Sequence, residues 1–167
     1  HAIVLALTGI KTVGGGTLFV PFGRFRINTQ ITIDEMPELI VRGVGGMNTP
    51  VGGADDSLLV SCFVNGTGGG TMFKINGTVT VGHVVTAHML WTGVSFDNRL
   101  NGNNVAFELT EGYDRASWER CAFFGGLYAF TFSGTGTFDA WWEKCFFFRI
   151  TKPSNFPANS GSMDPLH

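Results

Sequence analysis

The spacing of apolar positions changes character once along the chain. Ala2-Ile-Val-Leu-Ala-Leu7, continued by Ile10 and Val13, predicts two or three helical turns, and Gly14-Gly15-Gly16 follows as the preferred helix stop. After the glycines the runs shorten and become β-rich: Thr17–Val20, Arg24–Ile27, Gln30–Ile33 and Glu38–Arg42. Pro-Phe-Gly, Asn-Thr and Asp-Glu-Met-Pro separate them, turns too short to hold crossover helices. These are strands at close intervals.

The second half repeats itself. Val105-Ala-Phe-Glu-Leu109 returns 23 positions later as Tyr128-Ala-Phe-Thr-Phe132, and Trp118-Glu-Arg-Cys-Ala-Phe-Phe124 returns 24 positions later as Trp142-Glu-Lys-Cys-Phe-Phe-Phe148. Fainter copies lie upstream in Met72-Phe-Lys-Ile75 and Trp91-Thr-Gly-Val-Ser-Phe96. A helix-free unit of this size cannot bury its apolar side chains alone; it needs a neighbour above and below. In a parallel β-solenoid each coil lies about 4.8 Å over the last, so Phe107 should cover Phe130, Cys121 should cover Cys145 and Phe123 should cover Phe147. A β-sandwich is the competing reading, since Asn65-Gly, Asn76-Gly and Asn101-Gly could each make a hairpin turn.

Composition then removes several classes of partner. Eleven Lys and Arg against thirteen Asp and Glu leave a net charge of -2 with no basic run, which argues against nucleic acid. No stretch approaches the roughly 20 apolar residues of a spanning helix, so no membrane partner is expected. His1–Thr8 lacks the basic flank and cleavage site of a secretory signal and is read as structure, although the chain itself reads as a fragment or processed product. Cys62, Cys121 and Cys145 show no CxxC spacing, and His83 and His88 do not match HExxH, so neither a disulfide framework, a metal nor a cofactor is expected. Cys121 and Cys145 read as small apolar core residues. Gly43–Gly46 and Gly66–Gly70 read as turns, not phosphate cradles. Asn65-Gly-Thr67 and Asn76-Gly-Thr78 match a glycosylation acceptor pattern that is common by chance.

Candidate chemistry centres on acids and aromatics. Glu119 and Glu143 should stack at about 5 Å, close enough for one carboxylate to raise its neighbour's pKa; the plainer alternative is a solvated ion-pair edge with Arg120 and Lys144. Strict alternation would drive Glu119 inward with Cys121 and Phe123, so a bend at Glu119-Arg120 is expected, which turns Trp118 and Trp142 into an inward stack. Without the bend both indoles face outward, toward a sugar or a subunit. Glu111-Gly-Tyr113-Asp114-Arg115 gathers two carboxylates, a phenol and a guanidinium in one loop suited to sugar hydroxyls. The candidate catalytic acids are therefore Glu111, Asp114, Glu119 and Asp139. The candidate carbohydrate or subunit contacts are Trp118, Trp142, Tyr113, Phe124, Tyr128 and Phe148. Phe146, Phe147 and Phe148 are consecutive, so at least one points outward, and Phe124, Phe146, Phe148, Tyr128 and Trp141 predict an apolar strip for packing between identical chains.

Gly14-Gly-Gly-Thr-Leu-Phe-Val-Pro-Phe-Gly-Arg-Phe-Arg-Ile27, then Ile31-Thr-Ile33, then Leu39-Ile-Val-Arg-Gly-Val-Gly45, resembles the opening of the pectate-lyase-like single-stranded right-handed β-helix superfamily. Phe25 stands where that superfamily usually has Tyr, and the likeness covers about the first 46 residues. The resemblance implies a right-handed parallel β-helix of about five or six coils over residues 1–151, capped by the short helix, with 152–167 as a C-terminal extension or assembly tail. It also implies a phage virion protein of tailspike type on the particle surface, a homotrimer whose flank binds a bacterial surface polysaccharide and could cleave it as a lyase or glycoside hydrolase. The alternative is a non-enzymatic capsid decoration protein that associates with other virion proteins, which the shortness of the chain favours.

Overall fold

The computed structural model describes residues 2–34, 36, 38–45, 60–76, 79–80, 83–84, 86–110, 113–133 and 138–155, with backbone alone at 79–80, 83–84, 86–87, 113–114, 138–139, 153 and 155. Helix α1, Ala2–Thr12, ends as the glycines predict. Gly14 takes a left-handed φ of 83°, its N–H donates to the Lys11 carbonyl at 3.1 Å, and the Gly15 N–H donates to the Ile10 carbonyl at 3.0 Å. That pair of bonds is the glycine-dependent stop in which two late helical carbonyls are satisfied together. Leu7 is buried, and Ile3 and Ile10 pack against the core, so the helix closes one end of the molecule.

Beyond the helix the chain runs repeatedly through three sheets. The first round is β1 Gly16–Phe19, β2 Gly23–Ile27 and β3 Ile31–Asp34; the second is β4 Glu38–Arg42, β5 Ser61–Asn65 and β6 Thr71–Asn76. A short antiparallel pair, β7 Val79–Thr80 and β8 His83–Val84, precedes the third round of β9 Thr86–Thr92, β10 Val94–Asp97 and β11 Val105–Leu109. The fourth is β12 Tyr113–Glu119, β13 Ala122–Phe124 and β14 Tyr128–Phe132; the fifth is β15 Phe138–Glu143, β16 Phe146–Phe148 and β17 Lys152–Asn155. Among the described residues each of the three sheets takes one strand from every round, five in all, and every neighbouring pair is parallel. This is mostly β structure compatible with a parallel β-helix. Antiparallel pairing is confined to β7 and β8 among the described residues, so the sandwich reading falls. Strand β17 lies beyond residue 151 and pairs with β14; residues 156–167 lie outside the described residues.

The registers follow the repeat. Phe107 stands opposite Phe130, Phe123 opposite Phe147 and Trp118 opposite Trp142. The fainter copies are in register too: Phe73 with Phe107, Trp91 with Trp118, and Phe96 with Phe123. Three inward columns result, and their rings pack in two ways. Between the third, fourth and fifth rounds, column neighbours such as Phe96–Phe123 at 5.0 Å and 15°, Phe107–Phe130 at 5.6 Å and 14°, and Trp118–Trp142 at 5.8 Å and 11° lie nearly parallel. Between columns they meet edge to face, as in Phe96–Phe107 at 4.9 Å and Trp118–Phe130 at 4.7 Å. Both arrangements suit the ring quadrupole, and each fully buried Phe contributes about 1.5–3 kcal/mol of burial free energy.

The bend expected after Glu119 is present. Arg120 and Lys144 both have φ 51°, and Gly93 has φ 65° at the same corner one round earlier. Trp118 therefore points in, Glu119 out, and Cys121 and Phe123 in again. The backbone ladder continues through the corner, with Gly93 N–H donating to the Glu119 carbonyl at 3.1 Å and Arg120 N–H to the Glu143 carbonyl at 2.9 Å. The next corner is polar and buried. Asn65 Nδ2 donates to Asn98 Oδ1 at 3.0 Å and to the Val105 carbonyl at 2.9 Å, and Asn104 Nδ2 donates to the Asn65 and Asn98 carbonyls at 3.1 and 3.2 Å. These amides tie the ends of β5 and β11 to the corner residue Asn98. Asn65 is thereby wholly buried, which rules it out as a glycosylation acceptor.

Candidate functional site

Two outer faces carry the side chains with chemistry. On the outside of the first sheet, Arg42, Thr92, Glu119 and Glu143 form one column and Ile40, Leu90, Ser117 and Trp141 the next. Trp141 is 46% exposed. Glu143 Oε1 lies 2.9 Å from Lys144 Nζ, both groups in solvent. The hydrogen bond and charge of Lys144, helped by Arg120, hold the Glu143 carboxyl below the usual carboxylate range. The raised pKa that stacked carboxylates could produce is absent at Glu143, which remains ionised. The ion-pair edge is what forms there.

The remaining candidate acids distribute unevenly. Glu111 lies outside the described residues. Backbone register sets Tyr113 beside Phe138, then Ala116 beside Ala140, so β12 holds one residue more than β15 across this interval. That bulge brings the positions of Asp114 and Asp139 alongside one another on neighbouring strands. Bulges re-aim side chains and are frequent beside sites. Glu119 lies five residues further along β12, about 16 Å away at strand rise. Its separation excludes it from pairing with Asp114 in a hydrolytic mechanism, where carboxyls stand about 5–10 Å apart.

The aromatic candidates divide by face. Trp118 is fully buried and Trp142 half-buried, both in the inward column, so neither indole offers a flank to a sugar or a subunit. On the outside of the second sheet, Phe124, Phe146 and Phe148 cluster, with Phe146 and Phe148 parallel at 6.1 Å. Phe124 is nevertheless buried, under the Arg99 guanidinium at 5.8 Å, while Phe148 is 36% exposed beside Arg149 at 5.1 Å. Tyr128 belongs to the third sheet and Trp141 to the first. The single strip expected from sequence is thus spread around the corners over three faces, and only Phe124, Phe146 and Phe148 share one.

One buried charge cluster has no counterpart among the sequence candidates. Asp97, 3% exposed on the outside of the second sheet, accepts from Arg24 Nη2 at 2.7 Å, from Arg99 Nη2 and Nε at 2.8 Å each, and from the Arg99 N–H at 3.1 Å. Burial pushes its carboxyl up, but the bonds and charge of Arg99, with Arg24, outweigh burial and hold it below its ordinary value. Asp97-Asn98-Arg99 announces the local half of this cluster as an Asx turn. Arg24 comes from 73 residues earlier and reaches past the second round, which no local pattern signals. Nearby Cys62 is pushed up to about 12 by burial and by Asp97, with Arg24 and Arg99 opposing, so its thiol stays protonated. No group of three or more potential metal ligands occurs among the described residues, and no described helix is long and apolar enough to cross a membrane.

Comparison with protein-family profiles, with curated proteins and with solved structures gives no match for this chain.

Proposed function

We propose that the chain is a right-handed parallel β-helix module of tailspike type on the surface of a phage virion, binding a bacterial surface polysaccharide on the outer face of its first sheet. The observation that carries this reading is the outward Trp141, flanked in register by Ser117 and followed on the same face by Glu143, with Glu119 below it. A flat indole covers the apolar face of a sugar ring, while adjacent carboxylates and a hydroxyl accept or donate to its hydroxyls. Asp114 and Asp139, alongside one another at the bulge of the same sheet, are the pair through which such a module would cleave the glycan. The test is binding of purified chain to capsule and lipopolysaccharide preparations, with release of reducing ends or unsaturated uronates followed in parallel. Trp141→Ala should weaken binding at least tenfold, and Asp114→Asn should abolish any release while leaving binding intact. No binding across a broad panel overturns the reading.

A second reading, a non-enzymatic capsid decoration protein, is favoured by the paired Phe146 and Phe148 rings on a different face. A partly exposed pair of parallel rings suits packing between identical chains, three of them as the family resemblance implies. Phe148→Glu should then dissociate the assembly in light scattering, and an unchanged molar mass would remove this reading.

A further inference from the structure

Cys121 and Cys145 occupy the same place in consecutive rounds, each directly after a left-handed corner residue. Register on both sides, Glu119 with Glu143 and Ala122 with Phe146, sets their Cα atoms one strand spacing apart, about 4.8 Å, inside the range that a disulfide spans. Both are reduced. Each sulfur also lies against the carbonyl of the Trp one round below, Cys121 Sγ at 3.4 Å from the Trp91 oxygen and Cys145 Sγ at 3.1 Å from that of Trp118. Cys62 stands apart on the outside of the second sheet, with its sulfur against the Phe63 carbonyl at 3.7 Å.

We propose that Cys121 and Cys145 form a redox pair, closed to an intramolecular disulfide by a small disulfide oxidant, which staples the fifth round to the fourth. The two cysteines differ in access: Cys121 is fully buried and Cys145 half-buried. They differ also in acidity. Burial and the neighbouring sulfur push the Cys121 thiol well up, while the adjacent Cys121 thiol holds the Cys145 thiol below its ordinary value despite partial burial. Cys145 is therefore the sulfur that reacts first. It loses its proton to solvent, and the thiolate attacks one sulfur of the oxidant, breaking that S–S bond and releasing one thiol once the departing thiolate is protonated. Cys121 then loses its proton and attacks the Cys145 sulfur, expelling the second thiol. Two protein thiols give up two electrons, and one small disulfide becomes two thiols. Parallel neighbours keep their Cβ atoms near the strand spacing, so closing to the roughly 3.8 Å of a disulfide needs a shift of about 1 Å. The last round can supply it, because β15 and β16 each have a described strand on one side only.

The experiment treats the full chain with oxidised glutathione, then unfolds it in denaturant, blocks remaining thiols with iodoacetamide, and maps the tryptic peptides. Cleavage after Arg120 and Lys144 separates the two cysteines into adjoining peptides, 121–144 and 145–149. The expected result is one cross-linked species joining them, with the alkyl label on Cys62 alone and a melting temperature raised by roughly 5–10 °C for a closed loop of about 25 residues. Cys62→Ala should leave both readouts unchanged, and Cys145→Ser should remove both. Three labelled cysteines after oxidation, a cross-link that includes Cys62 or a second chain, or a mixed disulfide on Cys145 that never closes each overturns the proposal. If Cys145→Ser does not fold, the Cys62→Ala map decides alone. Glycan binding plays no part in the outcome.

Discussion

Trp118-Glu-Arg-Cys-Ala-Phe-Phe124 and Trp142-Glu-Lys-Cys-Phe-Phe-Phe148 take the same backbone path and end in different surroundings. Phe123 is 0% exposed and Phe147 38%, though they share a column and stack at 5.0 Å and 8°. Cys121 is buried and Cys145 only partly so. Phe130 faces Ser154 in the fifth round, where its own column loses its ring. The difference teaches that the local pattern sets which way a side chain points, while its burial depends on having a round on each side.

The largest effect should come from the fourth round. Trp118→Ala removes a ring in contact with Phe107, Phe130 and Trp142 and should cost about 4 kcal/mol, whereas Phe147→Ala should cost nearer 1.5 kcal/mol. Urea unfolding of both variants tests the comparison. Equal losses would mean that the fifth round is as enclosed as the fourth.

A smaller but still large effect separates the same rounds at the second corner. The fourth round turns with Gly125-Gly126, the fifth with Arg149-Ile150. Gly126 has φ 84°, and a Cβ there would lie 2.6 Å from the Asn104 carbonyl oxygen and 2.7 Å from Asn98 Cβ, both in the round below. Gly126→Ala should therefore cost about 2–3 kcal/mol, through strain and through displacement of the asparagine network. Ile150→Ala in the fifth round should cost less than Gly126→Ala by the same measurement; a reversed order would show that the close approach is relieved without loss.

The outer column of the second sheet also changes from round to round, with Asp97 in the third, Phe124 in the fourth and Phe148 in the fifth. Asp97→Asn should cost about 2 kcal/mol at pH 7, since it exchanges a charged acceptor for a neutral one. The Asp97 carboxyl is lower in the folded chain than in the unfolded one. Its contribution is thus fully present above the ordinary carboxylate pKa of about 4 and fades as pH falls through the lower folded value. The gap between wild type and Asp97→Asn should narrow from pH 7 to pH 3. A gap that widens on acidification would contradict the assignment.

How much of this was legible varies with range. Gly14 to Gly16 mark the helix end, Glu38–Arg42 matches β4, and the two clear repeats give the column registers. Those signals are local or periodic. The Arg24–Asp97 contact is neither, and it stayed hidden. The direction of Trp118 turned on one dihedral at Arg120, a residue type that seldom adopts it. The signal existed one copy earlier, because Gly93 aligns with Arg120 when Trp91-Thr-Gly is laid over Trp118-Glu-Arg. The bulge that sets Asp114 beside Asp139 is visible only in paired strands, where a 25-residue offset at Tyr113 becomes 24 at Ala116.

That first corner yields the smallest effect and the finest test of equivalence between rounds. Gly93, Arg120 and Lys144 share a left-handed conformation, but only glycine adopts it without a Cβ penalty. Arg120 is exposed, so replacing it removes little packing. Arg120→Gly should relieve local strain worth about 1 kcal/mol, offset in part by the greater freedom of glycine in the unfolded chain, for a net gain of about 0.5 kcal/mol. Lys144→Gly relieves the same strain but also breaks the Glu143 ion pair, so it should gain less. Matched urea titrations of the two variants resolve the difference. A loss of stability at Arg120→Gly would mean that its guanidinium holds the corner through contacts worth more than the strain, and that the third and fourth rounds turn for different reasons.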